Sequence, residues 1–293
     1  MRPEDKLMQA LQEQEEQGVD IHDVDGCYCE QTAIRNETNK TIIANFLGMH
    51  RRANGVAIVP RYYAELLTWA LQRYLERENW QVIEVLSYER PEPIYTDVYT
   101  EYDSCENMLA DGRLLIERDG VRFAVTVDMY SGYRGLIRVE AAASRKNDID
   151  EFISGVEDIV EKENIYRGKK IEFGARIQFL DVNNKSWDSI VLDPLVKRDV
   201  RANTVGFLSK EKLWSYYGIP SKRGVLLAGE PGTGKTVICK ALMAESDGVT
   251  CITTNAYGLS EGGYITEVYE MAADLSPSIV FIEDIDYIGL NRK

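Results

Sequence analysis

A chain of 293 residues has room for one or two domains, and its 44% of hydrophobic residues can build a sizeable core. Its net charge of −14 argues against broad contacts with a nucleic-acid backbone, which need a basic surface, and leaves room only for a local basic patch. No apolar run is long enough to span a membrane, no signal-peptide pattern stands at the start, and the five cysteines contain no C-x-x-C pair, so a soluble cytoplasmic protein with reduced thiols and no membrane contact is expected.

Residues 1–54 read as a helical or irregular N-terminal segment. The first 20 are acidic and rich in Glu and Gln, with a thin apolar stripe at Leu7, Met8 and Leu11 that fits either a partner-seeking helix or a frayed terminus. Cys27 and Cys29 with His22 nearby have the wrong spacing for a zinc knuckle, and no second Cys/His pair follows. From Pro60 to Trp80 the spacing of Tyr63, Leu66, Leu67, Ala70, Leu71, Tyr74 and Leu75 predicts a helix with a wide apolar face. Gln81–Tyr88 reads as a strand, and Tyr88–Ser104, with Pro91, Pro93 and four tyrosines, as a long loop or an edge region.

Arg113–Arg118 and Val121–Met129 flank Asp119–Gly120, the dipeptide that favours a type I′ hairpin turn. Leu136–Ala143 is the expected next strand, Asp148–Glu163 a helix carried by Ile149, Phe152, Ile153, Val156, Ile159 and Val160, and Lys170–Phe173 and Arg176–Leu180 two last strands. Residues 55–181 are therefore expected to form an α+β domain with an antiparallel sheet and no catalytic constellation. The polar run Asp181–Ser186 is the expected domain boundary.

The sharpest signal follows. Arg223–Ala228 reads as a buried parallel strand, Gly229–Glu230–Pro231–Gly232–Thr233–Gly234–Lys235–Thr236 fits G-x-x-x-x-G-K-[ST], and Val237–Glu245 has helical spacing. Glycines let the backbone curl around an anion, and successive N–H groups at a helix start then point at it. A turn alone would have no need of Lys235 and Thr236 in those two places. The pattern predicts an ATP site in which Lys235 reaches the β- and γ-phosphates and the Thr236 hydroxyl ligates Mg²⁺.

From Trp187 onward the chain resembles the AAA family of P-loop ATPases. Trp187–Asp188–Ser189–Ile190 is similar to the segment that opens such modules beside the adenine, which assigns Asp188 and Ile190 to nucleotide contact. Tyr217–Gly218–Ile219–Pro220 is similar to the family's approach to the loop, whose residues Glu230, Pro231, Gly232, Thr233 and Gly234 complete the expected cradle. Ser278–Asp286 resembles the Walker B strand, so the resemblance gives Glu283 to the metal and Asp284 to the attacking water. The family usually has Asp before Glu. The reversed order here shifts each carboxylate by about 1.5 Å and implies adjusted rather than absent hydrolysis. Tyr257–Gly258–Leu259 falls where many members carry a pore loop whose aromatic grips an extended polypeptide.

The resemblance thus implies an α/β fold: an N-terminal α+β domain that selects a protein substrate or adaptor, followed over residues 187–293 by an incomplete parallel-sheet ATPase module. It further implies homo-hexamers and ATP-driven protein remodelling or unfolding. The alternatives are a non-threading translocase of the same family, for which the Glu–Asp order is the clue, and a nucleotide-sensing module without efficient turnover. The sequence ends nine residues after Asp284, before the sensor strand, arginine finger and lid of a complete module. A fragment, or a short chain completed by a partner, is expected, with weak nucleotide binding and slow turnover by itself.

Overall fold

A computed structural model describes residues 37–48, 51–88, 90–130, 134–182, 186–255 and 264–285. In chain order, helix α1 covers residues 37–47, followed by strand β1 (Arg52–Pro60), a 3-10 turn and α2 (Ala64–Arg77). Then come β2 (Gln81–Leu86), β3 (Ile94–Glu101), β4 (Ser104–Arg118), β5 (Val121–Asp128), β6 (Arg134–Ala142) and α3 (Lys146–Lys162). Two short strands, β7 (Lys170–Glu172) and β8 (Gln178–Phe179), precede three helices, α4 (Pro194–Asn203), α5 (Val205–Leu208) and α6 (Glu211–Tyr216). The chain continues with α7 (Lys235–Glu245), β9 (Thr250–Asn255), α8 (Tyr264–Asp274) and β10 (Ser278–Glu283).

The first sheet is antiparallel, in the order β1-β6-β5-β4-β2, with β3 also paired to β4. Alternation along its strands sends Ala57, Val59, Phe123, Val125, Val127, Ile137 and Val139 to one face, where α2 and α3 cover them. Phe152 sits edge-on to Tyr74, Trp80 and Phe123, with centroids 5.0–5.5 Å away. The opposite face receives Ile43 and Leu47 of α1 against Leu86, Leu115 and Ala124. The β4–β5 turn has Asp119 at φ 50° and Gly120 at φ 77°, the two positive values that a type I′ turn requires.

Two expectations are corrected here and one is narrowed. The segment read as a loop or an edge region is an edge: it contains the strand β3, paired with β4 alone, whose Val98 is fully buried behind the two prolines. Residues 52–60, left within the irregular segment and the start of the first domain, form the edge strand β1, paired over its whole length to β6. The apolar run Arg223–Ala228 takes no part in a sheet: Val225 and Leu226 are exposed, and only Leu227 packs inward. Arg223 is instead held by the Asn203 side chain at 2.6 Å and lies over the Phe207 ring, so the run follows the α4–α5 layer rather than the edge of β10.

The second sheet runs β10-β9-β7-β8. β9 and β10 are parallel, as the expected strand–helix–strand series requires, with Glu283 opposite Asn255. β7 was expected to end the first domain. It pairs in parallel with β9, Ile171 opposite Ile252, so this sheet draws strands from both sides of the segment 181–186. Alternation along β9 and β10 divides the packing. Cys251, Ile279 and Phe281 face Ile238, Leu242 and Met243 of α7. Ile252, Val280 and Ile282 face Val268, Met271 and Ala272 of α8, within the same continuous core as α2, Tyr166 and Ile171.

Candidate functional site

Residues 229–234 form an irregular loop that runs directly into α7. Gly232 (φ 78°) and Gly234 (φ 91°) hold left-handed backbone, and a Cβ at either position would meet open space, so backbone conformation rather than crowding explains the glycines. Gly234 is the residue before the first helical turn, and the first intrahelical bond at this end runs from the Ile238 N–H to its carbonyl at 3.0 Å. The amides of Lys235, Thr236 and Val237 therefore have no intrahelical acceptor, and the helix presents an electropositive end.

The Lys235 ammonium donates to the carbonyls of Gly229 (2.8 Å) and Glu230 (3.0 Å), folding the side chain across the loop. The Thr233 hydroxyl donates to the Glu230 carbonyl at 2.8 Å and tightens the turn. Glu230, Pro231, Gly232, Thr233 and Thr236 are exposed, while Gly234 and Lys235 are half-buried. A backbone curled by two left-handed glycines, free helix amides, one lysine and one exposed hydroxyl fit a phosphate chain with its divalent cation.

Glu283, half-buried, ends β10; Asp284, exposed, follows at φ 53°, a left-handed turn that Asp tolerates better than most residues. Ile238 and Leu242 of α7 pack on Phe281 of β10, which brings the loop's helix against the strand carrying both carboxylates. The Cys239 thiol on α7 registers this proximity: burial, and then the negative charge of Glu283, push it up to about 11. Sequence reasoning had singled out Glu283 but not Cys239 as its neighbour. Among the described residues no cluster of three or more His, Cys, Asp or Glu could hold a metal by itself, so a cation here would depend on the bound phosphates for part of its shell.

The 3-10 turn Trp187–Ser189 lies against α7, with Ile190 buried and Asp188 exposed after it begins. Ser186 caps this turn, its hydroxyl accepting from the Asp188 amide, and Lys197 donates to the Trp187 carbonyl at 2.8 Å. The Trp187 indole N–H is buried there without a hydrogen-bond partner. Tyr257, Gly258 and Leu259 lie outside the described residues. No helix among the described residues is long and apolar enough to cross a membrane.

The packing of α7 on β10 has a chemical readout. At pH 8 a thiol titrating near 11 is only about 0.1% thiolate, and the Cys251 thiol is also pushed up by burial, with Lys170 opposing. Brief alkylation of the folded protein at pH 8 is expected to modify the exposed Cys105 and spare Cys239 and Cys251. Peptide mass spectrometry checks this, and modification of Cys239 as fast as Cys105 would show that α7 does not close on the strand that bears Glu283.

Comparison with known proteins gives the site a context. The family model described as "ATPase family associated with various cellular activities (AAA)" matches residues 225–293. The proteasome-activating nucleotidase of Saccharolobus islandicus (strain M.14.25 / Kamchatka #1) is 40% identical over 90 residues, which are 29% of this chain and 23% of that protein. The proteasome-activating nucleotidase of Methanopyrus kandleri is 31% identical over 166 residues, 48% of this chain and 38% of its own length. That of Sulfurisphaera tokodaii is 41% identical over 90 residues, 29% of this chain and 23% of its own. The chain thus spans well under half the length of these relatives.

Proposed function

We propose that residues 225–293, which match the family model of AAA ATPases, form a P-loop α/β module, and that the protein binds and hydrolyses ATP with Mg²⁺ and couples the cycle to remodelling or unfolding a protein substrate. The observation that supports this best is the packing of the loop's own helix on β10, which sets Glu283 beside that helix. The similarity to proteasome-activating nucleotidases favours a protein rather than a nucleic acid as substrate, as does the net charge of −14. Ring assembly of identical chains in the cytoplasm, with the N-terminal antiparallel sheet selecting substrate or adaptor and Tyr257 gripping the polypeptide, completes the reading.

In this reading the loop amides and Lys235 neutralise the β- and γ-phosphates, Thr236 and Glu283 hold the cation shell, and Asp284 orients or deprotonates the attacking water. Bound Mg²⁺ supplies charge neutralisation at the phosphates. Asp188, Ile190 and the buried Trp187 edge lie on the base side. The order of Glu283 before Asp284 favours one second reading, a translocase that moves folded cargo without threading it.

Glu283→Gln and Asp284→Asn are each expected to lower steady-state hydrolysis by about 100-fold or more, the contribution typical of a positioned acid or base. Asp284→Asn should retain ATP binding, whereas Glu283→Gln should raise the Mg²⁺ concentration needed. Parent-like turnover by both variants would remove the two carboxylates from the mechanism. Tyr257→Ala separates the two substrate modes: loss of substrate unfolding with hydrolysis intact supports threading, and unchanged handling of substrate supports the second reading.

A further inference from the structure

The helix that opens at the phosphate loop is gripped at its other end by a residue from the opposite side of the segment 181–186. Lys170, half-buried on β7, donates to the Ser246 carbonyl at 2.6 Å and to the Val249 carbonyl at 2.7 Å. Ser246 is the residue on which α7 ends, so the ammonium sits where the carbonyls of the last turn concentrate negative charge. Lysine has three donors and no acceptor, which suits it to hold the carbonyl at the end of α7 together with one from the turn that leads into β9.

The grip belongs to a continuous seam. The Cys251 amide donates to the Lys169 carbonyl at 2.9 Å, the Phe173 amide to the Thr253 carbonyl at 2.8 Å, and the Gly168 amide to the Thr250 hydroxyl at 2.9 Å. That hydroxyl donates in turn to the Leu275 carbonyl just after α8. The residues flanking β7 also meet the 3-10 turn Arg61–Tyr63 that leads into α2: Tyr63 stacks on Tyr166 with centroids 6.2 Å apart, and Tyr62 lies 6.1 Å from Phe173. A helix the length of α7 is a rod of about 16 Å. A shift of its N-terminal end on binding phosphate must therefore be felt at Ser246.

We propose that Lys170 is a positioning residue of the nucleotide site, and that through its hold on the end of α7 it couples occupancy of the loop at 229–236 to the antiparallel sheet of the N-terminal half. The proposal rests on the reading of that loop as an ATP site. Nucleotide bound at one end of α7 tightens the Lys170 seam at the other, and anything that displaces α2 and α3 changes nucleotide affinity by the same factor, since such coupling is reciprocal.

Hydrogen exchange on the full chain with and without Mg²⁺–ATP tests it, with Lys235→Ala, Lys170→Met and Lys170→Arg alongside. In the parent protein ATP should slow exchange at residues 231–238 and also at 168–173 and 249–253, the latter by about 5-fold or more if the coupling reaches the usual range. Lys170→Met should keep the protection at 231–238 and lose it across the seam, and Lys170→Arg should restore it. A purely structural lysine would raise seam exchange equally with and without ATP, leaving the ratio unchanged, and that result overturns the proposal. Parent protein protected at 231–238 alone also overturns it while leaving the ATP site standing. No protection anywhere, or protection that survives Lys235→Ala, overturns the ATP reading and the proposal with it. Should Lys170→Met fail to fold, the parent comparison and Lys170→Arg still decide.

Discussion

Lys235→Ala is expected to remove measurable ATP binding and hydrolysis while leaving the fold intact. The two halves of that expectation have separate grounds. Lys235 is the first residue of α7, where alanine is the best helix former, and its side-chain contacts are to the carbonyls of Gly229 and Glu230 within its own loop. No core residue loses a partner, so stability should change by no more than about 0.5 kcal/mol, the range of ordinary surface substitutions. For ATP the loss is large. Each charge-assisted hydrogen bond from the ammonium to phosphate contributes about 1.5–3 kcal/mol, or roughly 10- to 150-fold in affinity. Lys235→Arg should not rescue it, because a planar guanidinium cannot occupy the place of a compact point charge between loop and phosphate. Calorimetric titration checks the binding and thermal unfolding the fold. Parent-like affinity in the alanine variant would mean that the loop is a turn between two elements and that the nucleotide, if any, binds elsewhere.

What the sequence made legible is local. The glycines of the loop, the helix after it, the Asp119–Gly120 turn and the apolar faces of α2 and α3 each depend on residues within a few positions of one another; α7 and α3 start and end within two residues of the expected places, while α2 is three or four residues shorter at each end than the expected Pro60–Trp80. The strands that escaped did so for physical reasons. β1 carries Val56 and Ile58 on its exposed face as well as Ala57 and Val59 on its buried one, so it shows no alternation of polarity. β3 alternates tyrosines with Asp97 and Glu101 behind two prolines, which reads as a loop or an edge region, and only the burial of Val98 against β4 decides for an edge strand. Arg223–Ala228 failed in the opposite sense. Its apolar run satisfies every local criterion for a strand, but a strand also needs a partner, and Asn203 and Phe207 draw its leading arginine away.

The least legible feature, the pairing of β7 with β9, generates the second large prediction. Parallel pairing joins residues 81 positions apart and leaves no turn signal in the sequence. The polar run at 181–186 suggests that the chain divides there, yet Ile171, fully buried before it, faces Ile252, fully buried after it. Ile171→Asp should therefore destabilise both sheets together. An ionised carboxylate at a site with no exposure has no compensating partner on either neighbouring strand, where its opposites are Ile252 and Phe179. Such substitutions fall in the class that costs more than about 4 kcal/mol, a large share of the roughly 5–15 kcal/mol that holds a domain folded. The four tryptophans make the test specific, because Trp69 and Trp80 report on the antiparallel sheet, Trp187 on the layer around α7 and Trp214 on the α5–α6 pair, where it stacks on Phe207. Denaturant titrations of single-tryptophan variants should show all four signals moving to lower midpoint in parallel, while Gln178→Asp, exposed on β8, leaves them in place. If only Trp187 and Trp214 move, the two halves fold independently, and β7 is a strand lent across a true boundary. If all four move, the core running from Phe152 through Tyr166 and Ile171 to Met271 is one cooperative unit, and the sheet that carries Glu283 takes part of its stability from residues far outside the loop and strand motifs.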